Sequence, residues 1–243
     1  MAQELAPPAR DAPAPAGADE VVRFVPAARA AHWLLGVPFL LLLLTGLTNF
    51  QPRLKALQVA DVRVFAWLHV VIGFAALALA AWVLVALVPR RAVRADLRAL
   101  ARVGIDDYLW FQHLALRLAG ERSTAPPVAK FNAGQKLNAL LSLLATVALL
   151  GSGLVLGIYY TTKELLGAGF VETVFPWHTA VSLLVVPLVA GHLYLALLHP
   201  ATRGSLRGMV RGRVRRDWAA RHHPAWVTTA EAAPPPHEPP PAR

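Results

Sequence analysis

Residues 175–198 read FPWHTAVSLLVVPLVAGHLYLALL, a run without Asp, Glu, Lys or Arg that carries two histidines, His178 and His192. A run of this length supplies the ~20 apolar residues that an α-helix needs to cross a ~30 Å hydrocarbon core. Fourteen residues separate the two histidines, which at 1.5 Å per residue is about 21 Å, and at 100° per residue returns to within about 40° of the same face. The two imidazoles therefore look into one interior from two depths. Three more runs of the same kind lie upstream, at residues 30–50, 64–88 and 137–160. None alternates as a strand does, and an open sheet would leave its backbone unsatisfied in lipid. The expected fold is all-α, an integral membrane four-helix transmembrane bundle. Pro38 and Pro187 fall inside spans, where kinks are expected.

Orientation follows from the basic residues in the connections. Twenty Lys and Arg flank the spans on the side of the termini and the long middle connection, and four (Arg53, Lys55, Arg63 and Lys163) lie on the other side. This bias predicts that both termini and the long middle connection are cytoplasmic. The net charge of +10 is thus mostly a topology signal, and no nucleic-acid partner is expected. The absence of cysteine excludes disulfides, thiolate haem ligation and any cysteine-held iron–sulfur cluster in this chain. Residues 1–22 and 227–243, rich in Pro and Ala, are expected to be disordered around one membrane domain at 23–226. No cleavable leader is expected, because the first apolar run begins near residue 30 at full span length.

Within the spans, the side chains that titrate near neutral pH are His32, His69, His178 and His192. With Pro26 opening the first span and Asp61 capping the second, His32 lies about two turns in from the cytoplasmic side and His69 about two turns in from the other. Depth then pairs His69 with His178 and His32 with His192. A buried neutral imidazole needs a partner, and an iron ligated from both sides by histidine meets that need, so two haem b groups with these four ligands are expected. One turn after each histidine stands a small residue (Gly36, Gly73, Ser182 and Ala196), which leaves room for a flat macrocycle. Zinc fits less well, since its structural sites gather four ligands and each pair supplies two. His113, His199, His222, His223 and His237 fall outside this pattern and read as surface residues, with His199 as a reserve ligand candidate. A haem-free anchor whose histidines bond between helices is the competing reading of the same residues.

Several segments resemble the cytochrome b (gamma) subunit of respiratory formate dehydrogenases, within the diheme membrane cytochromes b that also serve nickel–iron hydrogenases. They are Arg23-Phe24 leading to Ala31-His32-Trp33, Leu68-His69, Phe131-Asn132-Ala133-Gly134-Gln135-Lys136, Trp177-His178, Gly191-His192-Leu193-Tyr194, and Trp218-Ala219-Ala220-Arg221-His222-His223-Pro224. The Asn-x-Gly-Gln-Lys segment and the basic ending favour the formate dehydrogenase branch over the hydrogenase branch.

This resemblance implies partners: a molybdenum- or tungsten-containing catalytic (alpha) subunit, which oxidises formate on the periplasmic side, and an iron–sulfur (beta) subunit. Electrons would cross this chain through two haems and reduce a quinone at the cytoplasmic side, beside Asn132, Gly134 and His192, with Gln135 also a candidate. Asn with Gly two residues on at a helix start is equally ordinary capping chemistry. No substrate-oxidising site is expected in this chain itself. The middle connection at 108–118 reads as an amphipathic interfacial helix. The arginines from Arg203 to Arg216 suit either topology or contact with membrane lipid.

Overall fold

The computed structural model describes residues 19–59, 62–162 and 167–232. In chain order these form β1 (Glu20–Val22), α1 (Pro26–Leu47), α2 (Pro52–Lys55), β2 (Gln58–Val59), β3 (Val62–Arg63), α3 (Val64–Ala86), α4 (Arg91–Ala101), α5 (Ile105–Leu118), α6 (Ala133–Thr162), α7 (Ala168–Leu193), α8 (Leu206–Arg211), β4 (Arg213–Arg215), α9 (Arg216–His222) and α10 (Pro224–Ala232). Four helices are long and apolar enough to cross a membrane: α1 with the 3-10 turn that extends it to Phe50, α3, α6, and α7 with the π-helical turn Tyr194–Leu198. α1 packs along α3 and α6 along α7, and the α3–α6 face joins the two helical hairpins.

Helix ends differ from the apolar runs for physical reasons. α1 opens at Pro26, whose missing N–H costs nothing at a first helical position. α6 starts four residues before its apolar run because Asn132 and Gln135 cap it reciprocally: the Gln135 N–H donates to Asn132 Oδ1 (2.8 Å) and the Asn132 N–H donates to Gln135 Oε1 (3.0 Å). α7 likewise begins upstream of Phe175, at Ala168. Hydropathy detects the lipid-facing length of a helix and misses its polar first turns. Asp61, expected to cap the second span, lies outside the described residues, as do Lys163, His237 and the terminal segments 1–18 and 233–243.

The spans bury little of themselves. Val85 is 78% exposed and Leu184 74%, as helices are whose outer faces meet lipid. Close packing is found instead where the two ends of the chain meet. There β1 pairs antiparallel with β4 (Glu20↔Arg215, Val21↔Val214, Val22↔Arg213), and the backbone N–H groups of Arg23 and Phe24 donate to Gly212 O. Gly212 has φ +83°, and a Cβ on it would stand 2.8 Å from Phe24 O, so this turn admits glycine on both counts. Val214, Ala219 and Val227 form the buried core of this terminal clasp, with Val21, Trp218 and Trp226 packed on it. The tail expected to be without structure from residue 227 is therefore helical through Ala232; the apolar side of Trp226 and Val227 gives it something to bury, which a reading of Pro and Ala content passes over. β1 does the same for residues 20–22, and the all-α bundle carries two short ribbons, β1–β4 and β2–β3.

Candidate functional site

The structure brings the four span histidines together as two facing pairs. The His69 and His178 rings have centroids 6.2 Å apart at 86°, and the His32 and His192 rings 6.3 Å apart at 53°. A ring nitrogen lies about 1.1 Å from its ring centre and a metal–imidazole bond is about 2.0–2.1 Å, so two rings sharing one metal stand about 6.2–6.4 Å apart. Both separations match. Among the described residues no group of three or more His, Cys, Asp or Glu gathers as a metal cage, so each pair offers two nitrogens. Haem needs no more than that, because its macrocycle supplies the remaining ligands. The neighbouring small residues leave space: a Cβ on Gly36 would meet nothing within 4 Å, and one on Gly73 only Leu42, at 3.9 Å.

The pair nearer the β2–β3 end is held by hydroxyls. Thr45 Oγ1 lies 2.9 Å from His69 Nδ1 and Ser152 Oγ lies 2.8 Å from His178 Nδ1. At the other level, neither His32 nor His192 has a ring nitrogen hydrogen-bonded among the described residues; the His32 ring meets the edge of Trp33 at 5.3 Å. The reserve candidate His199 is in neither pair; its ring lies 5.8 Å from the Tyr194 ring and its Nδ1 3.3 Å from Thr202 Oγ1.

Asn132, Gly134 and Gln135 sit at the start of α6, on the same end of the bundle as His32 and His192; the Phe24 and Phe131 rings, 6.0 Å apart, tie that start to the start of α1. Capping uses Asn132 Oδ1 and Gln135 Oε1 and leaves both amide NH2 groups as donors. Gly134 accommodates Trp110 of α5, whose Cη2 would be 3.2 Å from an added Cβ. A cavity of about 170 Å³ opens here, lined by Arg102, Asp107, Trp110, Phe131, Asn132 and Lys136. Its walls hold the Lys136–Asp107 ion pair at 2.8 Å.

Beside this site the terminal clasp buries a cation. Arg23 is 2% exposed, its guanidinium 5.2–5.5 Å from the ring centres of Phe24, Trp218 and Trp226, and burial pulls its pKa down to about 10. Its Nη2 donates to Lys130 O and to His223 Nε2 (3.1 and 3.0 Å). His223 in turn donates from Nδ1 to Ala129 O (2.8 Å). Burial, reinforced by the neighbouring Arg23, pushes the His223 pKa down to about 3. His223 thus corrects its expected surface placement: it is 2% exposed because Arg23 and a backbone carbonyl satisfy both nitrogens. His222 stacks on Trp218 at 4.8 Å. His113 is also more enclosed than expected, with Nδ1 buried and without a partner.

The chain is similar over most of its length to known cytochrome subunits. The cytochrome b556(Fdn) subunit of the nitrate-inducible formate dehydrogenase of Escherichia coli is 26% identical over 207 residues, covering 84% of this chain and 89% of the relative. A formate dehydrogenase cytochrome b556 subunit of Haemophilus influenzae is 25% identical over 223 residues, covering 85% and 82%. The cytochrome b556(fdo) subunit of formate dehydrogenase in Escherichia coli is 24% identical over 211 residues, covering 86% and 92%. The model of the prokaryotic cytochrome b561 family matches residues 23–212, a stretch that contains both imidazole pairs. The chain belongs to that family, and it is a multi-pass membrane cytochrome b that binds haem b and works in electron transfer.

Proposed function

We propose that this chain is the cytochrome b subunit of a formate dehydrogenase complex and conducts electrons across the inner membrane to quinone. The observation that carries this reading is the pair of facing imidazole sets, 6.2 and 6.3 Å between ring centres, at two depths about 21 Å apart along α7. His69 with His178, and His32 with His192, would hold two haem b groups, one at each level. Bound haem supplies a one-electron ferric–ferrous couple at each level. The basic bias of the connections places the chain termini, and with them the His32–His192 level, in or near the cytoplasm. Electrons would enter at the periplasmic His69–His178 level, delivered by an iron–sulfur subunit that serves a molybdenum- or tungsten-containing catalytic subunit.

The remaining side chains bind quinone and keep its protonation on the inner face. The Asn132 amide NH2, freed by the direction of its cap, donates to a quinone oxygen, and Gln135 presents a second NH2. The cavity at the start of α6 is smaller than the ~300–1,000 Å³ typical of pockets that enclose a whole ligand, which suits a head group whose tail lies in lipid. Its polar wall, with Asp107 and Lys136 close to cytoplasmic water, lets protons be drawn from that side. Moving an electron inward from outside while taking protons inside stores about 2.3 kcal/mol per charge per 100 mV.

The test is to purify the complex in detergent and record its dithionite-reduced minus oxidised spectrum, with haem and subunits quantified. Two b-type haems per chain and co-purifying formate:quinone reductase activity are expected. One haem or none would overturn the ligand assignment, and a co-purifying nickel–iron subunit would move the chain to the hydrogenase branch.

A further inference from the structure

We infer that Thr45–Gly46 and Ser152–Gly153 form two matched cradles that fix the tautomer and rotation of His69 and His178, and so hold the periplasmic-side haem at a lower reduction potential than the other. The inference rests on the haem-ligand reading above and adds to it four positioning residues outside the ligand set.

The tautomer follows from counting protons. Thr45 Oγ1 lies 2.8 Å from Leu41 O and 2.9 Å from His69 Nδ1. Ser152 Oγ lies 2.6 Å from Ala148 O and 2.8 Å from His178 Nδ1. A hydroxyl has one proton, and the carbonyl four residues back can only accept it. Each hydroxyl therefore donates to its own helix and accepts from the imidazole, so both rings carry their proton on Nδ1. The Nε2 lone pairs are left free for an iron. Thr146, Thr161, Thr162, Thr173 and Ser182 also bond to the carbonyl four residues back, but among the described residues only Thr45 and Ser152 extend this to the ring of a span histidine.

Glycine completes each cradle. A Cβ at Gly46 would come 3.4 Å from His69 Cε1, and one at Gly153 would come 3.3 Å from His178 Cε1. Both rings thus lie against bare backbone one residue past the hydroxyl. The arrangement occurs once in each helical hairpin, α1 cradling the histidine of α3 and α6 cradling that of α7. The coincidence of hydroxyl, glycine and distance in two unrelated stretches of sequence argues for a shared requirement rather than local helix solvation. Among the described residues, His32 and His192 have neither feature.

An acceptor on Nδ1–H makes an imidazole a stronger donor to its metal and favours the more highly charged ferric state. The anchored level is then the weaker oxidant, and an electron entering there runs downhill to the unanchored one. Potentiometric titration of the purified cytochrome, followed at its b-type bands, tests this in wild type, Thr45→Val, Ser152→Ala and the double variant, with Thr45→Ser and Ser152→Thr as conservative controls. The expected result is that one of two waves rises by a tenfold shift in the ferric/ferrous ratio, 59 mV for one electron, and further in the double variant, while the other wave and the conservative variants stay at wild-type values. Loss of the haem that His69→Ala also loses, with the other retained, supports the same assignment. Unmoved waves, or equal movement of both, overturn it. A wild type without two haems instead sinks the ligand reading itself, so the two failures are separable.

Discussion

His223, buried in the terminal clasp, and His69, half-buried within a span, are both imidazoles with Nδ1 hydrogen-bonded, and they differ in one nitrogen. His223 has Arg23 at its Nε2 and Ala129 O at its Nδ1, so every polar atom is closed by protein. His69 has Thr45 at Nδ1 and, beyond its other edge, the His178 ring across 6.2 Å. Burial alone therefore does not mark a ligand. The mark is an imidazole whose second valence the protein leaves open toward a matching one, because an unused polar nitrogen in an apolar interior costs free energy unless something else occupies it.

The widest separation between the two regions is expected from alanine at each histidine. His69→Ala and His192→Ala should each lower the haem content from two per chain to one, His192→Ala also abolishing quinone reduction. His223→Ala should leave both haems in place and lower the stability of the clasp by about 2–4 kcal/mol, through a lost hydrogen bond and a cavity. Haem loss in His223→Ala, with both haems kept in His69→Ala, would invert the comparison.

Acid should open the clasp before it disturbs the bundle. The His223 pKa is depressed to about 3 in the folded chain against about 6.5 unfolded, so between these values the unfolded state binds the extra proton. Stability from this group is complete above pH 6.5 and falls as pH drops toward 3, by about 1.4 kcal/mol per unit. Hydrogen–deuterium exchange of the 213–227 backbone should quicken over that window in wild type. In a His223→Gln variant, which keeps an amide pair in place of the titrating ring, the window should vanish. An unchanged profile in that variant would assign the acid response to another group.

A smaller effect is expected at the turn that joins β1 to β4. Gly212→Ala forces a side chain into φ +83° and against Phe24 O, at about 1–2 kcal/mol for the backbone conformation alone. Thermal loss of the clasp should come earlier while the reduced haem spectrum stays unchanged. A spectral change would mean that the clasp supports the His32–His192 level directly.

What the sequence makes legible here is whatever a length or a residue count can carry. The four spans follow from apolar length, and the grouping of the span histidines follows from counting residues along each helix, since depth in a membrane is nearly linear in sequence. Thr45 and Ser152 were invisible to that count. Each lies some two dozen residues from the ring it touches, among other hydroxyls with similar backbone bonds, and the repeated hydroxyl–glycine dipeptide is the one signal that distinguishes them. The clasp was missed for a different reason: β1 and β4 are three residues each and almost the whole chain apart, too short for alternation to show. His223 reads as a surface residue in the sequence, and the burial of Arg23 has no sequence signal, because only a fold can bring three aromatic rings to a cation.

Asn132 poses the same question of open and closed valences in a single side chain. Its Oδ1 is closed on the Gln135 N–H, which is capping, and its NH2 is open, which suits a quinone oxygen. Asn132→Ala removes both functions and cannot separate them. Asn132→Asp keeps the acceptor, and with it a cap worth about 1 kcal/mol, and adds a charge that the helix N-terminus favours; only the donor is lost. A thermal midpoint at or above wild type with a KM for quinone raised roughly tenfold, the value of one hydrogen bond near 1.4 kcal/mol, is therefore expected. Unaltered quinone kinetics would reduce Asn132 to a capping residue and shift the search for the donor to the Gln135 amide, which has the same free NH2 one turn further into α6.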